Sequence, residues 1–188
     1  MIRFLMLAVL TVAACSSGGI SGFVNTPECE AIADRMTEEP LREARVGLVT
    51  GGIATLITVE VADDPGSRSR GLMCRSDVPG DTGMLFEFGG LTSGPFWMFN
   101  TYVPLDIIYF DQSGSVAGAA AMSPCPLDGG ESESEWRDRC LEESQDYGPE
   151  GNYARALELP AGWLLAQGLS LDALPEDLRL NVFGTISP

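Results

Sequence analysis

One acid sits where an apolar strand should begin: Asp106, in the run Pro104-Leu105-Asp106-Ile107-Ile108-Tyr109-Phe110. An unpartnered carboxylate there is costly, because burial strips it of water. The cations that could meet it are Arg70 and Arg75, whose guanidinium forks match a carboxylate in two parallel hydrogen bonds. Just upstream, Phe96-Trp97-Met98-Phe99-Asn100-Thr101 reads as a strand with large side chains on both faces, so it is either central or the wall of a pocket. Trp97 could line a groove in which Asn100 and Asp106 supply polar contacts. Arg70, Arg75, Trp97, Asn100 and Asp106 therefore form the candidate ligand or structural site. The competing reading for the aromatics is core packing. For Asp106, an ion pair fixing a helix against the sheet is favoured over a catalytic acid. The catalytic alternative is a hydrolase or transferase pairing Asp106 with Glu87 or Asp111, as two carboxylates do in glycoside cleavage.

Composition narrows the chemistry further. Of 188 residues none is histidine, and the eleven basic residues, all arginine, face 27 acids for a net charge of −16. Without histidine there can be no Ser-His-Asp or Cys-His catalytic set and no imidazole-ligated metal. A chain this acidic has no basic footprint for nucleic acid, so no nucleic-acid partner is expected. The length suits one domain with a real core.

The first nineteen residues read as an export signal. One early arginine precedes an apolar run from Phe4 to Ala14 that is too short to span a bilayer. Val12-Ala13-Ala14-Cys15 resembles the bacterial lipobox, which implies cleavage before Cys15 and lipidation of its sulfur, with palmitate among the acyl chains. Several chains anchor stably where one does not. Ser16 in place of aspartate implies sorting to the periplasmic face of the outer membrane. The expected organisation is a signal peptide over 1–14, an anchor and tether over 15–26, an amino-terminal extension over 27–50 and a single β-rich domain over 51–188. Expected partners are the membrane, through the lipid, and an unknown small ligand or envelope protein.

Four cysteines remain, Cys29, Cys74, Cys125 and Cys140, and an even number in an exported chain reads as disulfides with three possible connectivities. Cys125 and Cys140 flank one acidic loop and are the natural pair. Cys29 with Cys74 would then staple the amino-terminal segment to the domain. A four-cysteine zinc site would need a Cys-x-x-Cys pair, which the chain lacks. The loop over 123–152 holds nine acids against Arg137 and Arg139, and its spacing departs from that of an EF-hand. No cofactor or metal is expected, although a structural role through diffuse divalent binding to this loop is a third reading.

The elements that must position these residues follow from alternation and turn chemistry. A helix is expected over 27–45, interrupted at Pro40. Strands are expected over 53–62, 83–88, 96–101, 105–111, 115–122, 153–160 and 177–183. Asp64-Pro65 should cap a helix over about 65–73, residues 161–168 a short helix closed by glycine, and 112–114 a hairpin turn.

Five stretches in this order, Arg68-Ser69-Arg70-Gly71-Leu72-Met73-Cys74-Arg75, Gly83–Phe88, Phe96–Val116, Met122–Cys125 and Ala156–Leu169, resemble the Domain of Unknown Function 192 (DUF192) family. The resemblance implies a compact, mostly β fold with short helices, and no defined activity. Two positions depart from it. Cys74 stands where the family commonly has an apolar residue, and Phe99 where it commonly has lysine or another polar residue. The first supports pairing with Cys29, and the second removes a cation from the site. The expectation is thus an α+β, mostly β domain, an antiparallel-rich sheet or half-barrel with short helices. Its expected role is that of a non-enzymatic binding or accessory module anchored in the cell envelope.

Overall fold

The computed structural model describes residues 22–186. The signal segment, Cys15 and most of the tether lie outside these residues. Seven strands form one mixed, mostly antiparallel sheet in the order β5-β4-β6-β3-β2-β1-β7, and it does not close into a barrel. The strands are β1 (Glu43–Thr50), β2 (Ile53–Ala62), β3 (Met84–Thr92), β4 (Leu105–Phe110), β5 (Val116–Met122), β6 (Tyr153–Pro160) and β7 (Arg179–Ile186). With the short helices α1 (Pro27–Glu38), α2 (Pro65–Arg70), α3 (Glu133–Glu143) and α4 (Trp163–Ala166), this is the α+β, mostly β class expected. Among the described residues no helix is long and apolar enough to cross a membrane.

The β1–β2 hairpin closes through Gly51-Gly52 between the paired Thr50 and Ile53, both glycines at positive φ. That two-residue turn suits the right-handed twist of the strands. Residues 43–50, expected to belong to the amino-terminal extension, are therefore part of the sheet, because β1 pairs with β2 on one side and β7 on the other. The extension proper is α1, capped by Thr26, whose hydroxyl accepts from Cys29 N, and ended ahead of Pro40. β2 and β3 run parallel, so the chain must cross back between them, and α2 lies in that connection. Asp64 caps α2 by accepting from Gly66 N at 2.8 Å and Ser67 N at 3.1 Å.

Period-two alternation gives each face of the sheet its own core. Ala44, Val46, Leu48, Ile57, Val59, Val61, Leu85, Ile108, Phe110, Leu157 and Leu159 fill one face together with Leu164, Leu178 and Leu180. Met84, Phe86, Leu105, Ile107, Tyr109, Met122 and Ala156 fill the other, covered by Met98, Phe99, Trp136 and Tyr147. The sheet curls until the β4–β5 turn meets β7, where Leu180 N donates to Gly114 O at 2.8 Å.

Two expectations are corrected. Residues 96–101 are not a strand; they form an irregular cover over one face, with Phe99 bridging Cys125 and Asn100 in the left-handed region at φ 53°. Pro95 and Pro104 bracket the segment, and its backbone bonds run to turns: Thr101 N donates to Met98 O, and Cys125 N to Thr101 O. Large residues on both sides reflect a layer sandwiched between the sheet and α3. The acidic loop, in turn, contains α3, launched by a capping box in which Ser132 and Glu135 bond each other's backbone N–H.

Both cysteine pairs stand bonded, Cys29 to Cys74 and Cys125 to Cys140, each with sulfurs about 2.0 Å apart. The first holds α1, with Val24 N donating to Cys74 O at 2.9 Å beside it. The second ties α3 to the start of the acidic loop.

Candidate functional site

Asp106 is buried, at 4% exposure, but faces neither Arg70 nor Arg75. It pairs in register with Leu159 of β6 and so points to the Leu85–Leu157–Ile108 face of the sheet. Its Oδ2 accepts from Gly162 N at 2.9 Å, fastening β4 to the turn before α4. Burial raises its pKa, a shift partly opposed by that Gly162 bond. The expected ion pair with an arginine is therefore replaced by a single backbone bond, because strand alternation aims Asp106 away from α2.

The other predicted residues divide. Arg75 Nη2 binds both carboxylate oxygens of Glu60, at 2.8 and 2.6 Å, and its guanidinium lies 4.8 Å from the Phe23 ring centroid. That pair fixes the amino-terminal segment against β2. Asn100, 1% exposed, bonds across the chain to Cys74: Cys74 N donates to its backbone carbonyl at 2.8 Å, and its side-chain amide donates to Cys74 Sγ at 3.3 Å. Both residues take positive φ, so each depends on the other for a strained turn. Arg70 and Trp97 do come together, in the wall of a cavity of about 30 Å³.

The acid in that wall is Glu158, which sequence reasoning missed. It stands on β6 between Met84 of β3 and Ile107 of β4, on the face opposite Asp106. It is 4% exposed, and its Oε2 has no protein hydrogen-bond partner. Arg70 Nε, buried in the same wall, has none either. Desolvation alone lifts the Glu158 pKa to about 8, so at neutral pH it is a neutral carboxylic acid with a proton to donate. That state fits the energetics: an unpaired neutral group costs about 1–3 kcal/mol on burial, an unpaired charge far more. Phe86, Phe96, Leu72 and Thr101 complete the walls. Within Ala156-Leu157-Glu158-Leu159-Pro160 the acid looks like the polar half of an ordinary alternating strand. The one available signal was its position in a strand buried on both faces, which only the sheet order reveals.

The cavity adjoins a wider open cleft of about 350 Å³, the two sharing Ser69, Arg70, Met73 and Trp97. Arg35 from α1, Arg70 from α2 and Arg137 from α3 converge there, with Glu28 as the acid among the lining groups. Arg70 enters no salt bridge among the described residues. Arg137 pairs with Glu133 at 2.9 Å and lies 4.4 Å from the Phe99 ring centroid. Phe99 and Trp97 are nearly parallel, with centroids 5.0 Å apart. α3 thus brings a guanidinium over the Phe99 ring.

The carboxylates first considered as partners of Asp106 are occupied elsewhere. Glu87 is bonded to Arg42 at 2.8 Å and Arg155 at 3.4 Å. Asp111 accepts from the Ser113 hydroxyl and from Ser115 N and Ser113 N in the β4–β5 turn, which together hold its pKa low. In the acidic loop Glu131 binds Arg139, and Glu135 caps α3. Among the described residues no cluster of Cys, Asp and Glu is placed to hold a metal ion.

Solved structures with this architecture are known. A Sinorhizobium meliloti 1021 protein, proposed to be a transcription regulator, is 30% identical, with 74% of this chain and 93% of that one aligned at a TM-score of 0.54. A protein of unknown function from Novosphingobium aromaticivorans DSM 12444 is 21% identical, with 76% and 87% aligned at a TM-score of 0.57, a likeness of fold. No curated protein matches the chain. Residues 47–173, from β1 through the β6–β7 connection, match the DUF192 family, described as an uncharacterized ACR, and the chain belongs to that family.

Proposed function

We propose that the protein is a lipid-anchored module of the cell envelope that binds a small ligand at the cleft beside Trp97 without transforming it. One observation carries the reading: Glu158 and Arg70, which line one cavity at the end of an open cleft, each hold a buried polar atom without a protein partner, Oε2 and Nε. Buried groups of this kind are rare unless something pairs with them, and a ligand is the partner that the adjoining cleft admits. The cavity wall carries one carboxyl group, Glu158, and Asp106 points to the opposite face of the sheet. A carboxylate-pair mechanism built on Asp106 with Glu87 or Asp111 therefore has little support. The regulator role proposed for the Sinorhizobium protein suits this chain poorly, because a net charge of −16 without lysine repels a phosphate backbone.

The anchor follows from Val12-Ala13-Ala14-Cys15 and Ser16, which support lipidation at Cys15 and residence on the periplasmic face of the outer membrane. Metabolic labelling with palmitate tests it: wild type should take up label and Cys15→Ser should not, and a labelled Cys15→Ser protein would refute the anchor. The binding reading is tested by a small-molecule fragment screen followed through the indole N–H signals of Trp97 and Trp163. Ligands should shift Trp97 and spare Trp163, which packs against the other core. A screen without any Trp97 shift would refute the site, and steady conversion of a hit would refute the non-enzymatic role.

A further inference from the structure

The cleft beside Trp97 has three chemical parts, and together they specify a ligand class. The first is charge. In a chain with 27 acids and eleven arginines, Arg35, Arg70 and Arg137 arrive from three separate helices to line one cleft, opposed by Glu28. Arg70 is in no ion pair among the described residues and has a buried Nε without a protein partner. Such an arrangement favours an anion, and a guanidinium fork favours a planar carboxylate.

The second part is shape. The half-buried Trp97 lines both the open cleft and the small cavity behind it. An indole flanking an open cleft stacks well against the C–H face of a ring, because its surface is apolar and its face carries negative potential. The cleft, at about 350 Å³, lies at the small end of the range for ligand sites. The inner cavity, at about 30 Å³, admits a terminal hydroxyl or hydroxymethyl group and no ring.

The third part is the acid in the wall of that cavity. Glu158 is buried, and its Oε2 has no protein partner. A protonated carboxyl presents both a donor and an acceptor, and a hydroxyl is its complement, since it accepts and donates in turn. A ligand carboxylate at this position could accept and nothing more, and it would sit in the least solvated part of the site. The Thr101 backbone and hydroxyl are engaged with Met98, Cys125 and Phe99, so the polar side chains that remain in the wall are Glu158, Arg70, Arg68 and Ser69.

We propose, building on the binding reading above, that the site recognises an acidic sugar. Its ring lies along Trp97, its carboxylate meets Arg70 with Arg137 and Arg35 behind, and a hydroxyl enters the inner cavity to bond Glu158. The ring face uses the indole, the anion uses a cleft lined by three arginines in an otherwise acidic protein, and the hydroxyl satisfies the orphaned carboxyl.

The test is isothermal titration of the full chain in detergent micelles at pH 7. The panel is D-glucuronate, D-galacturonate, N-acetylmuramate and N-acetylneuraminate, with D-glucose and benzoate as controls. At least one acidic sugar should bind, with glucose and benzoate each weaker by about tenfold or more, the scale of one lost charged or stacking contact. Arg70→Ala should reduce that binding by a similar factor. Arg137→Ala, a change at a half-exposed side chain outside the cavity wall, should reduce it less. Equal binding of glucose would overturn the role of charge, and equal binding of benzoate would overturn the sugar. Silence from all four acidic sugars would overturn the ligand class, while fragments that still shift Trp97 would leave the cleft itself standing as a binding site.

Discussion

Asp106 and Glu158 stand on neighbouring strands one position out of register, Asp106 opposite Leu159 and Ile107 opposite Glu158. The two acids therefore leave the same sheet in opposite directions. Asp106 enters the core beneath α4 and takes one backbone N–H. Glu158 enters the cavity beneath α2 and takes none. Their energetics and their consequences differ accordingly.

Glu158 should make stability fall with rising pH. Its carboxyl is lifted from an ordinary 4.5 to about 8 by desolvation, so the folded state holds a proton that the unfolded state has released. Its contribution is fully present below pH 4.5 and is lost as pH rises toward about 8, at up to about 1.4 kcal/mol per unit. The charged groups around it are Arg68 and Arg70 on α2, and Tyr109 on β4 is itself held protonated by burial. Thermal unfolding of wild type and Glu158→Gln at pH 5, 6.5 and 8 isolates this group. Wild type should lose ground to the variant as pH rises, by about 2–4 °C per kcal/mol. Parallel curves would show that the acid is solvated or paired.

At Asp106 the bond to Gly162 N matters and the charge does not. Asp106→Asn keeps an acceptor and removes a buried charge, so its effect should stay within about 1 kcal/mol. Asp106→Ala orphans the Gly162 N–H and should cost about 1–3 kcal/mol. Urea unfolding of the two variants measures the difference, and an equal loss in both would mean that the charge has a partner after all.

The Cys125–Cys140 bridge closes a loop with a sequence separation of 15 and holds α3, hence Arg137, over the cleft. Replacing both cysteines with alanine should cost about 3 kcal/mol, on the chain-entropy scale for a loop of that size. It should also free Arg137 from Phe99. Denaturant unfolding gives the first quantity, and loss of protection from hydrogen exchange confined to 126–146 would establish the second.

Gly114 is held at φ 83°, and a Cβ there would lie 2.5 Å from Leu180 O. Gly114→Ala must push the β4–β5 turn off β7, breaking the Leu180 N–Gly114 O bond. A loss of about 1–3 kcal/mol is expected from the combined strain and broken bond. Calorimetry showing no change would mean that the turn yields freely and that the curl of the sheet does not depend on this contact.

Much of this was readable along the chain. A β-branched, alternating run marked β2, alternation marked β6, an apolar run after Pro104 marked β4, and Asp64-Pro65 marked the start of α2, because these signals are local and each acts within a few residues. Cysteine count and context pointed to two disulfides. α3 escaped because its acid-rich surface masked Ser132 and Glu135, a capping box that can be read directly from the sequence. Residues 96–101 read as a strand but lie across the sheet, because aromatic, apolar runs look alike whether they pair in a sheet or cover one.

By itself, then, the sequence determined the exclusion of histidine chemistry, the acidic surface and the order of the main strands along the chain. All of these follow from residue identity or from spacing within one element. Which acid shares a cavity wall with Arg70 was decided by tertiary structure alone. A strand turns successive side chains to opposite sides, so the answer depends on how β4, β6 and β3 register and on which face α2 covers. The cleft depends likewise on α1, α2 and α3 meeting from distant parts of the chain, and no local pattern encodes that convergence.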